Sequence, residues 1–204
     1  MQDLFRIIKD RRSIRKYQNK PVPRGLIEEV LVAAGWAPSA HNAQPWRFIV
    51  LTEGSAKKKL AESMAESWAA DMAKDGLKID EEVRKARVER FATAPVVIVS
   101  CSTVEGMNKQ LNAERQNIER DLAMQSLGAA MQNLLLTAYS KGLGACWFCA
   151  PSFCKDTVRR VLKIPAEVEP EALVAMGYSA EKPTVPLRKV LGDYCFRDKW
   201  GKKF

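Results

Sequence analysis

The sequence contains no apolar run long enough to cross a membrane. A spanning helix needs roughly 18 to 20 consecutive apolar residues, and no segment of the 204 residues approaches that length. The chain opens on a charged, amphipathic stretch at residues 2–9, which is unlike the apolar core of an export signal. We therefore expect a cytoplasmic protein with no membrane partner.

Cysteine is sparse and odd in number, with five residues at positions 101, 146, 149, 154 and 195. An odd count without an export signal favours free thiols over a disulfide framework. The spacing of Cys146 and Cys149 is compatible with a redox pair or half of a metal site. However, no second CxxC exists, and residues three apart on a strand point to opposite faces. We predict that no metal binds and interpret these cysteines as packing residues.

Internal repeats, low-complexity segments and dense basic tracts are also absent. The formal net charge of +9 favours anionic partners of several kinds, including nucleic acid, a dinucleotide or a flavin phosphate. The 33 lysines and arginines are spread along the chain, and no nucleic-acid-binding motif is recognisable. We therefore expect small anionic ligands and no nucleic acid. The length and the hydrophobic fraction of 47% predict one globular domain.

Periodicity predicts alternating helices and strands. Helical spacing of apolar residues predicts helices at about 4–9, 25–35, 113–141 and 156–162, with a long helical region between 54 and 93. Apolar, β-prone runs predict strands at 48–51, 96–101, 145–148 and 172–176, with 96–101 at the sheet centre. In the long helical region, Leu60, Met64, Trp68 and Met72 recur every fourth residue, a stripe that we interpret as packing.

The first cluster suited to chemistry is the basic turn Arg11-Arg12-Ser13-Ile14-Arg15. Guanidinium groups present fixed donors that match phosphate oxygens, and their charge does not depend on pH. A second cationic pair, Arg188-Lys189, follows far along the chain. Either cluster alone is also compatible with solvated surface charge.

The second cluster is the proline-bracketed loop Pro38-Ser39-Ala40-His41-Asn42-Ala43-Gln44-Pro45-Trp46. Asn and Gln amides can pair with both the carbonyl and the N–H groups of a flavin's pyrimidine edge. His41 is the only histidine, and within such a polar loop we interpret it as structural. A further segment, Gly142 to Pro151, contains glycines that permit close backbone approach.

In this order, the clusters resemble the nitroreductase-like flavoprotein family from about Phe5 to Asp193. The segments that carry the resemblance are Arg11-Arg12-Ser13-Ile14-Arg15, Pro38-Ser39 with Asn42-Ala43-Gln44-Pro45-Trp46, Gln132-Asn133-Leu134-Leu135-Leu136 leading to Gly142-Leu143-Gly144, and Arg188-Lys189. The resemblance implies an α+β fold: an α/β/α sandwich with a mixed central sheet, built as an intertwined homodimer. It also implies one FMN-binding domain over residues 1–204, with an extension from about 181 packing on the partner subunit.

By the same resemblance, FMN binds at the subunit interface and both chains contribute. The residues matching Arg11, Ser13 and Arg15 hold the phosphate, ribityl chain and pyrimidine edge, and Arg12 contributes nearby. Arg188 adds a phosphate contact, and Lys189 beside it is also expected to bind the cofactor. The partner subunit supplies the loop around the flavin ring, namely Pro38, Ser39, Ala40, His41, Asn42 and Gln44. One ring face is covered by Trp147, Phe148, Cys149 and Ala150, with a backbone N–H near Cys149 directed at the flavin N5.

The implied function is hydride transfer from NAD(P)H through flavin N5 to a small oxidised substrate such as a nitroaromatic or a quinone. Both reactants would use one pocket in turn, and no catalytic side chain is required because the flavin carries the chemistry. Two alternatives stay open. One is a relative that performs reductive dehalogenation or flavin fragmentation under a lid formed by about residues 54–93. The other is a flavin-binding protein without turnover. The segment Cys146 to Cys149 departs from the small acidic or glycine residue frequent in the family, which leaves the substrate range open.

Overall fold

The computed structural model describes residues 3–204. The helices are α1 (Leu4–Asp10), α2 (Arg24–Gly35), α3 (Gly54–Lys74), α4 (Glu81–Ala92), α5 (Ala113–Ser140) and α6 (Lys155–Leu162). The strands are β1 (Trp46–Leu51), β2 (Val96–Thr103), β3 (Gly144–Phe148) and β4 (Val168–Gly177). Among the described residues, no helix combines the length and apolar character needed to cross a membrane.

The four strands form one sheet in the order β1-β2-β4-β3, and each neighbouring pair is antiparallel. The parallel component is a bridge between Ser13 and Ala145 beside the edge strand β3. All eight residues of β2 are buried, as expected for the predicted centre of the sheet. The predicted α+β sandwich is confirmed.

Side chains of β2 alternate between two cores, one on each face of the sheet. Val96 and Ile98 pack with residues of α2 and α5, including Val30 and Leu134. On the other face, Val97, Val99 and Cys101 belong to the second core. This core also contains residues of α3, α4 and α6, including Leu60, Phe91 and Val158. Helices therefore cover both faces of the sheet, which explains why the central strand has an unbroken apolar run.

The long helical region predicted between residues 54 and 93 is two helices. Gly76 has a φ of +74° just after α3 ends, a conformation that favours glycine. Asp80 then caps α4 by accepting a hydrogen bond from the Glu82 N–H at 2.9 Å. The break allows α4 to fold back against α3. The stripe interpreted as packing divides accordingly: Leu60 and Met64 are buried, whereas Trp68 and Met72 border a cavity.

Helix α5 ends in a Schellman motif that directs the chain into β3. The N–H of Leu143 donates to the Ala138 carbonyl at 2.9 Å, and that of Gly142 donates to the Tyr139 carbonyl at 3.0 Å. Gly142 has a φ of +77°, as the motif requires. The predicted role of Gly142 as a terminator is confirmed.

Gly144, at the start of β3, is the point where the basic turn meets the sheet. A Cβ atom at this position would lie 2.7 Å from Cγ1 and 2.8 Å from Cβ of Ile14. Ile14 is itself buried, and its N–H donates to the Ala145 carbonyl at 3.1 Å. The absence of a side chain at Gly144 therefore allows residues 11–15 to lie against the edge strand.

We predict that Gly144→Ala destabilises the protein by about 1–3 kcal/mol, because the added methyl group must displace Ile14 from a packed position. Gly25→Ala is the matched control. Nothing lies within 4 Å of a Cβ atom at Gly25 in helix α2, so this variant should be neutral or stabilised by less than about 1 kcal/mol. Denaturant unfolding measures both. Equal stability of the two variants would contradict the close contact between Ile14 and Gly144.

Candidate active site

The basic turn is connected to two strands of the sheet. Besides the contact with β3, the Tyr17 hydroxyl donates to the Ile14 carbonyl at 2.5 Å and lies 2.8 Å from the Ala175 carbonyl of β4. Burial raises the pKa of Tyr17, so the hydroxyl stays protonated at neutral pH. Tyr17 therefore connects the turn to a central strand.

The C-terminal segment is joined to the same turn by Glu181. Its Oε1 accepts hydrogen bonds from the N–H groups of Arg15 at 2.5 Å and Lys16 at 3.1 Å. The Ala180 N–H donates to the Lys16 carbonyl at 2.9 Å. These bonds fix the beginning of the tail beside the turn and bring Arg188 into the electrostatic environment of Arg11.

The arginines of this region form a cationic cluster without carboxylate partners. Burial lowers the pKa of Arg11, and the neighbouring charges of Arg12 and Arg188 lower it further. Within residues 3–204, none of Arg11, Arg12, Arg15 and Arg188 takes part in an ion pair. Because arginine keeps its charge when its pKa is lowered, the cluster favours binding of an anion.

Arg12 has a structural task that the sequence does not reveal. Its Nη1 donates to the carbonyls of Lys9 and Arg11, each at 2.7 Å, and so satisfies the C-terminal end of α1. Its Nε is buried and has no hydrogen-bond partner among the described residues. An unpartnered buried donor is costly, and a phosphate or ribityl oxygen is a group of the kind that would satisfy it.

Cys146 lies where the cationic side chains converge on β3. Burial raises the pKa of Cys146. The positive charge of Arg15 opposes this increase, as do a hydrogen bond with Ser13 and the charges of Arg90 and Arg11. The net increase keeps the thiol neutral at physiological pH. Cys146 is buried and Cys149 is exposed, in agreement with a packing role for the first.

The end of β3 borders a cavity. The ring of Phe148 meets that of Phe91 edge-on at 5.0 Å between centroids, and Trp147, on the opposite face, is partly exposed near Gly128. Beyond β3, Cys149 and Ala150 continue along a cavity of about 380 Å³. We call it the α3–α4 cavity; its lining includes Trp68, Arg87, Arg90, Phe91, Phe148 and Phe153.

The polar loop before β1 is held in an unusual backbone conformation. His41, Asn42 and Gln44 all have positive φ values, of 56°, 52° and 47°. Such residues cost about 1 kcal/mol or more each and persist only where the surroundings enforce them. Ser39 provides part of this support, because its Oγ accepts from the Gln44 N–H at 3.1 Å. The side chains of Asn42 and Gln44 are exposed and make no hydrogen bond within the described chain.

A buried carboxylate of α5 supports the loop from below. Oε2 of Glu119 lies 3.3 Å from Nε2 of His41, and Oε1 accepts from Gln110 Nε2 at 3.0 Å. The hydrogen bond from Gln110 lowers the pKa of Glu119 despite burial, and His41 lowers it further. Asn108 Nδ2 also lies 3.2 Å from His41 Nε2. His41 thus belongs to a structural network, although its ring is partly exposed.

One chain does not bring the two predicted halves of the site together. The polar loop leads into β1, whereas the basic turn lies beside β3 at the opposite edge of the sheet. Three strand spacings, roughly 14 Å, separate these edges. The structure therefore places Arg11, Ser13 and Arg15 beside β3, with Arg188 near Arg11, and it places residues 38–44 before the strand at the other edge. Lys189 is exposed.

Comparison with known proteins identifies the family. The family model described as "Nitroreductase family" matches residues 8–178. The chain belongs to the nitroreductase family. It is 33% identical to an NADH dehydrogenase of Thermus thermophilus, and the alignment covers 89% of this chain and 91% of that protein.

Two further relatives show the range of this nitroreductase-family fold. Iodotyrosine deiodinase 1 of Rattus norvegicus is 30% identical, with 91% of this chain and 65% of that protein aligned. A crystal structure of a BluB-like flavoprotein from Clostridium difficile 630 has a TM-score of 0.80 and 26% identity, covering 98% of this chain and 100% of that chain. The chain is therefore an oxidoreductase of the nitroreductase family, a family that generally uses FMN and NAD(P)H.

Sequence reasoning missed several residues around this nitroreductase-family site. Glu119 gave no signal, because charged residues on a helix are usually solvated, and Gln110 gave none, because it lies in the loop before α5. Arg87 and Arg90 lie three residues apart on α4, a spacing that indicates a shared helix face. That spacing was readable from the sequence, but the cavity that the face borders depends on the packing of α4 against α3.

We predict that Glu119→Gln lowers stability at neutral pH and that the difference from wild type disappears in acid. A carboxyl group with a lowered pKa in the folded state binds protons more readily when unfolded, so protonation favours unfolding. Its contribution is complete above the unfolded pKa, about 4.3, and is lost as the pH falls through the lower folded value. Chemical denaturation from pH 3 to pH 7 tests this, with Glu167→Gln, at an exposed carboxylate, as control. A stability difference that does not change with pH would show that the loop does not depend on this charge.

Proposed function

We propose that this protein is an FMN-dependent oxidoreductase that transfers hydride from NAD(P)H to a small oxidised organic substrate. Membership of the nitroreductase family and the similarity to an NADH dehydrogenase support this proposal. The observation that carries it is the cluster of Arg11, Arg12, Arg15 and Arg188, which faces no carboxylate partner in the described chain. A phosphate monoester supplies the charge that this cluster lacks.

The residues present fit FMN on several grounds. Arg11, Arg15 and Arg188 would hold the phosphate and neighbouring oxygens, the buried Nε of Arg12 offers a free donor, and Ser13 offers a hydroxyl. Residues 147–150 would cover one face of the ring. The last paired residue of β3 is Phe148, opposite Leu173, so the Cys149 N–H lies just beyond the sheet pairing and is a suitable donor to a ring nitrogen.

When bound, FMN supplies the redox chemistry by accepting and donating hydride at N5. The chain's own part is to bind, orient and tune. Cationic side chains near the pyrimidine edge would favour the anionic reduced form, and they would also attract the phosphates of a nicotinamide donor. Residues 147–150 would exclude water from one ring face, which leaves the other face for donor and acceptor in turn. No side chain is required as a nucleophile or general base.

We propose that the complete site is formed by a homodimer. The loop at residues 38–44 carries exposed, unpaired amides at the edge of the sheet opposite the basic turn, so it would serve the flavin bound by a second chain. The tail supports the same proposal, because it exposes large apolar side chains: Leu187 is 99% exposed and Trp200 is 88% exposed. Apolar surface of this kind is typical of an interface.

A second candidate function is reductive dehalogenation of a halogenated aromatic compound. It is favoured by the aromatic lining of the α3–α4 cavity, which adjoins the proposed flavin position, and by the similarity to an iodotyrosine deiodinase. Incubating the reduced protein with a halophenol and measuring halide release distinguishes it from quinone or nitro reduction, which releases none.

We predict that Arg15→Ala and Arg188→Ala each weaken FMN binding about ten- to hundredfold. Loss of one charge-assisted contact costs on the order of 1.5 to 3 kcal/mol. The measurement is a fluorescence titration of FMN into the apoprotein. Arg160→Ala removes an exposed arginine of α6 and serves as a control for loss of overall charge. Unchanged affinity in both variants would mean that the basic turn and the late arginine are surface charge only.

We also predict a dimer of about twice 22.9 kDa in light scattering after chromatography at low micromolar concentration. Truncation before Tyr194 should lower both dimer stability and flavin content, because it removes apolar tail residues and the two properties are linked in a shared site. A monomeric mass with full FMN occupancy would refute the shared site.

A further inference from the structure

The α3–α4 cavity contains two arginines whose charges are not balanced. Arg87 and Arg90 both come from α4, and neither forms an ion pair with another described residue. Of the described residues that line the cavity, Asp71 alone carries a carboxylate, and its Oδ1 is 3.1 Å from Lys74 Nζ. Burial lowers the pKa of Arg87, and the charge of Arg90 lowers it further. The cavity therefore has positive charge available for a ligand.

The rest of the cavity lining is mainly apolar and includes four aromatic side chains, those of Trp68, Phe91, Phe148 and Phe153. The Arg87 guanidinium carbon lies 3.7 Å from the centroid of the Trp68 ring, which holds this side chain flat against the wall and limits its rotamers. Arg90 also lines the cavity and is exposed, with its guanidinium carbon 5.8 Å from the centroid of Phe148. Phe91 and Phe153 complete the aromatic lining. A volume of about 380 Å³ is within the range of small-molecule sites.

We propose that this cavity selects a flat aromatic substrate that carries a carboxylate or another anionic group. The ring would lie among Trp68, Phe91 and Phe148, and the anion would meet Arg87 and Arg90. Guanidinium groups bind carboxylates bidentately, and a partly desolvated site strengthens the contact. A neutral quinone would use the aromatic walls but leave both charges unpaired, so the cavity discriminates by charge.

The inference rests on the proposed function, because the cavity shares Phe148, Cys149 and Ala150 with the segment proposed to cover the flavin. A substrate in the cavity would thus lie beside the edge of the ring at the end of that segment, and its reacting group would extend from there over the open face that donor and acceptor use in turn. The competing occupant is the nicotinamide donor, whose phosphates could use the same arginines. A test must therefore separate preference for an aromatic anion from binding of the dinucleotide.

The test compares 4-nitrobenzoate with 4-nitrobenzamide, which have nearly the same shape and differ in charge. Isothermal titration calorimetry on the FMN-saturated protein, without nicotinamide, gives both dissociation constants independently of turnover. We expect the benzoate to bind about tenfold more tightly, the size of one charge-assisted contact. The preference should decrease at high salt, and kcat/KM for reduction of the two probes should show the same ratio.

Arg87→Gln and Arg90→Gln should each reduce the ratio severalfold towards unity. Lys85→Gln removes an exposed charge from the same helix, outside the cavity, and should retain the wild-type ratio. Arg87→Gln could change the ratio by disturbing the packing on Trp68. Arg90→Gln is free of this ambiguity, because Arg90 is exposed.

Equal affinity of the wild-type protein for the two probes would overturn the inference, even if NAD(P)H bleaches the flavin and a quinone is reduced. Arginine variants that raise the KM for NAD(P)H but leave the probe ratio unchanged would overturn it as well, since the dinucleotide would then be the ligand. If the benzoate binds selectively but no nicotinamide reduces the flavin, the anion site stands and the proposed hydride donor fails.

Discussion

The contact between Ile14 and the bare backbone of Gly144 is the constraint on which the proposed site depends. It allows the basic turn to pair with β3 at Ala145, and the hydroxyl of Tyr17 joins the turn to β4. Guanidinium groups that repel one another would otherwise move apart into water. The packing of one buried isoleucine therefore holds an unfavourable concentration of positive charge beside the edge strand.

That concentration has an energetic consequence for the free protein. In the described chain no carboxylate forms an ion pair with these guanidinium groups, and the carboxylate of Glu181 is bound to the backbone N–H groups of Arg15 and Lys16. Like charges a few ångströms apart repel by several tenths to a few kcal/mol at the dielectric of a protein surface, and this repulsion remains in the free protein. Binding of a phosphate removes it. The same reasoning applies to the buried Nε of Arg12, which has no hydrogen-bond partner among residues 3–204. Both features make the folded chain more stable when an anionic ligand is bound.

A second feature is that the two edges of the sheet carry different kinds of side chain. The edge at β3 carries charge, whereas the edge at β1 carries exposed amides on a loop with three left-handed residues. Glu119 and Ser39 hold that loop in place without using Asn42 or Gln44. The side chains of Asn42 and Gln44 make no hydrogen bond within the described chain. A rigid loop with such side chains is best explained by contact with another molecule. The exposed apolar side chains of the tail are a second reason to expect this contact.

Local patterns in the sequence determined the central strand and the bounds of α5 to within one residue, and the resemblance carried by its motifs implied the sandwich fold and the family. These patterns and motifs are an unbroken apolar run, a 3.6-residue period, a glycine at a helix end and arginines in a tight turn. Only the tertiary structure decided that residues 54–93 fold as two helices enclosing a cavity, that Arg12 supports α1 and that Glu119 lies beneath His41. Each of these depends on contacts between residues distant in sequence. In the sequence, Arg87 and Arg90 have the spacing of ordinary surface charges. Only the packing of α3 against α4 shows that they share a cavity with Trp68.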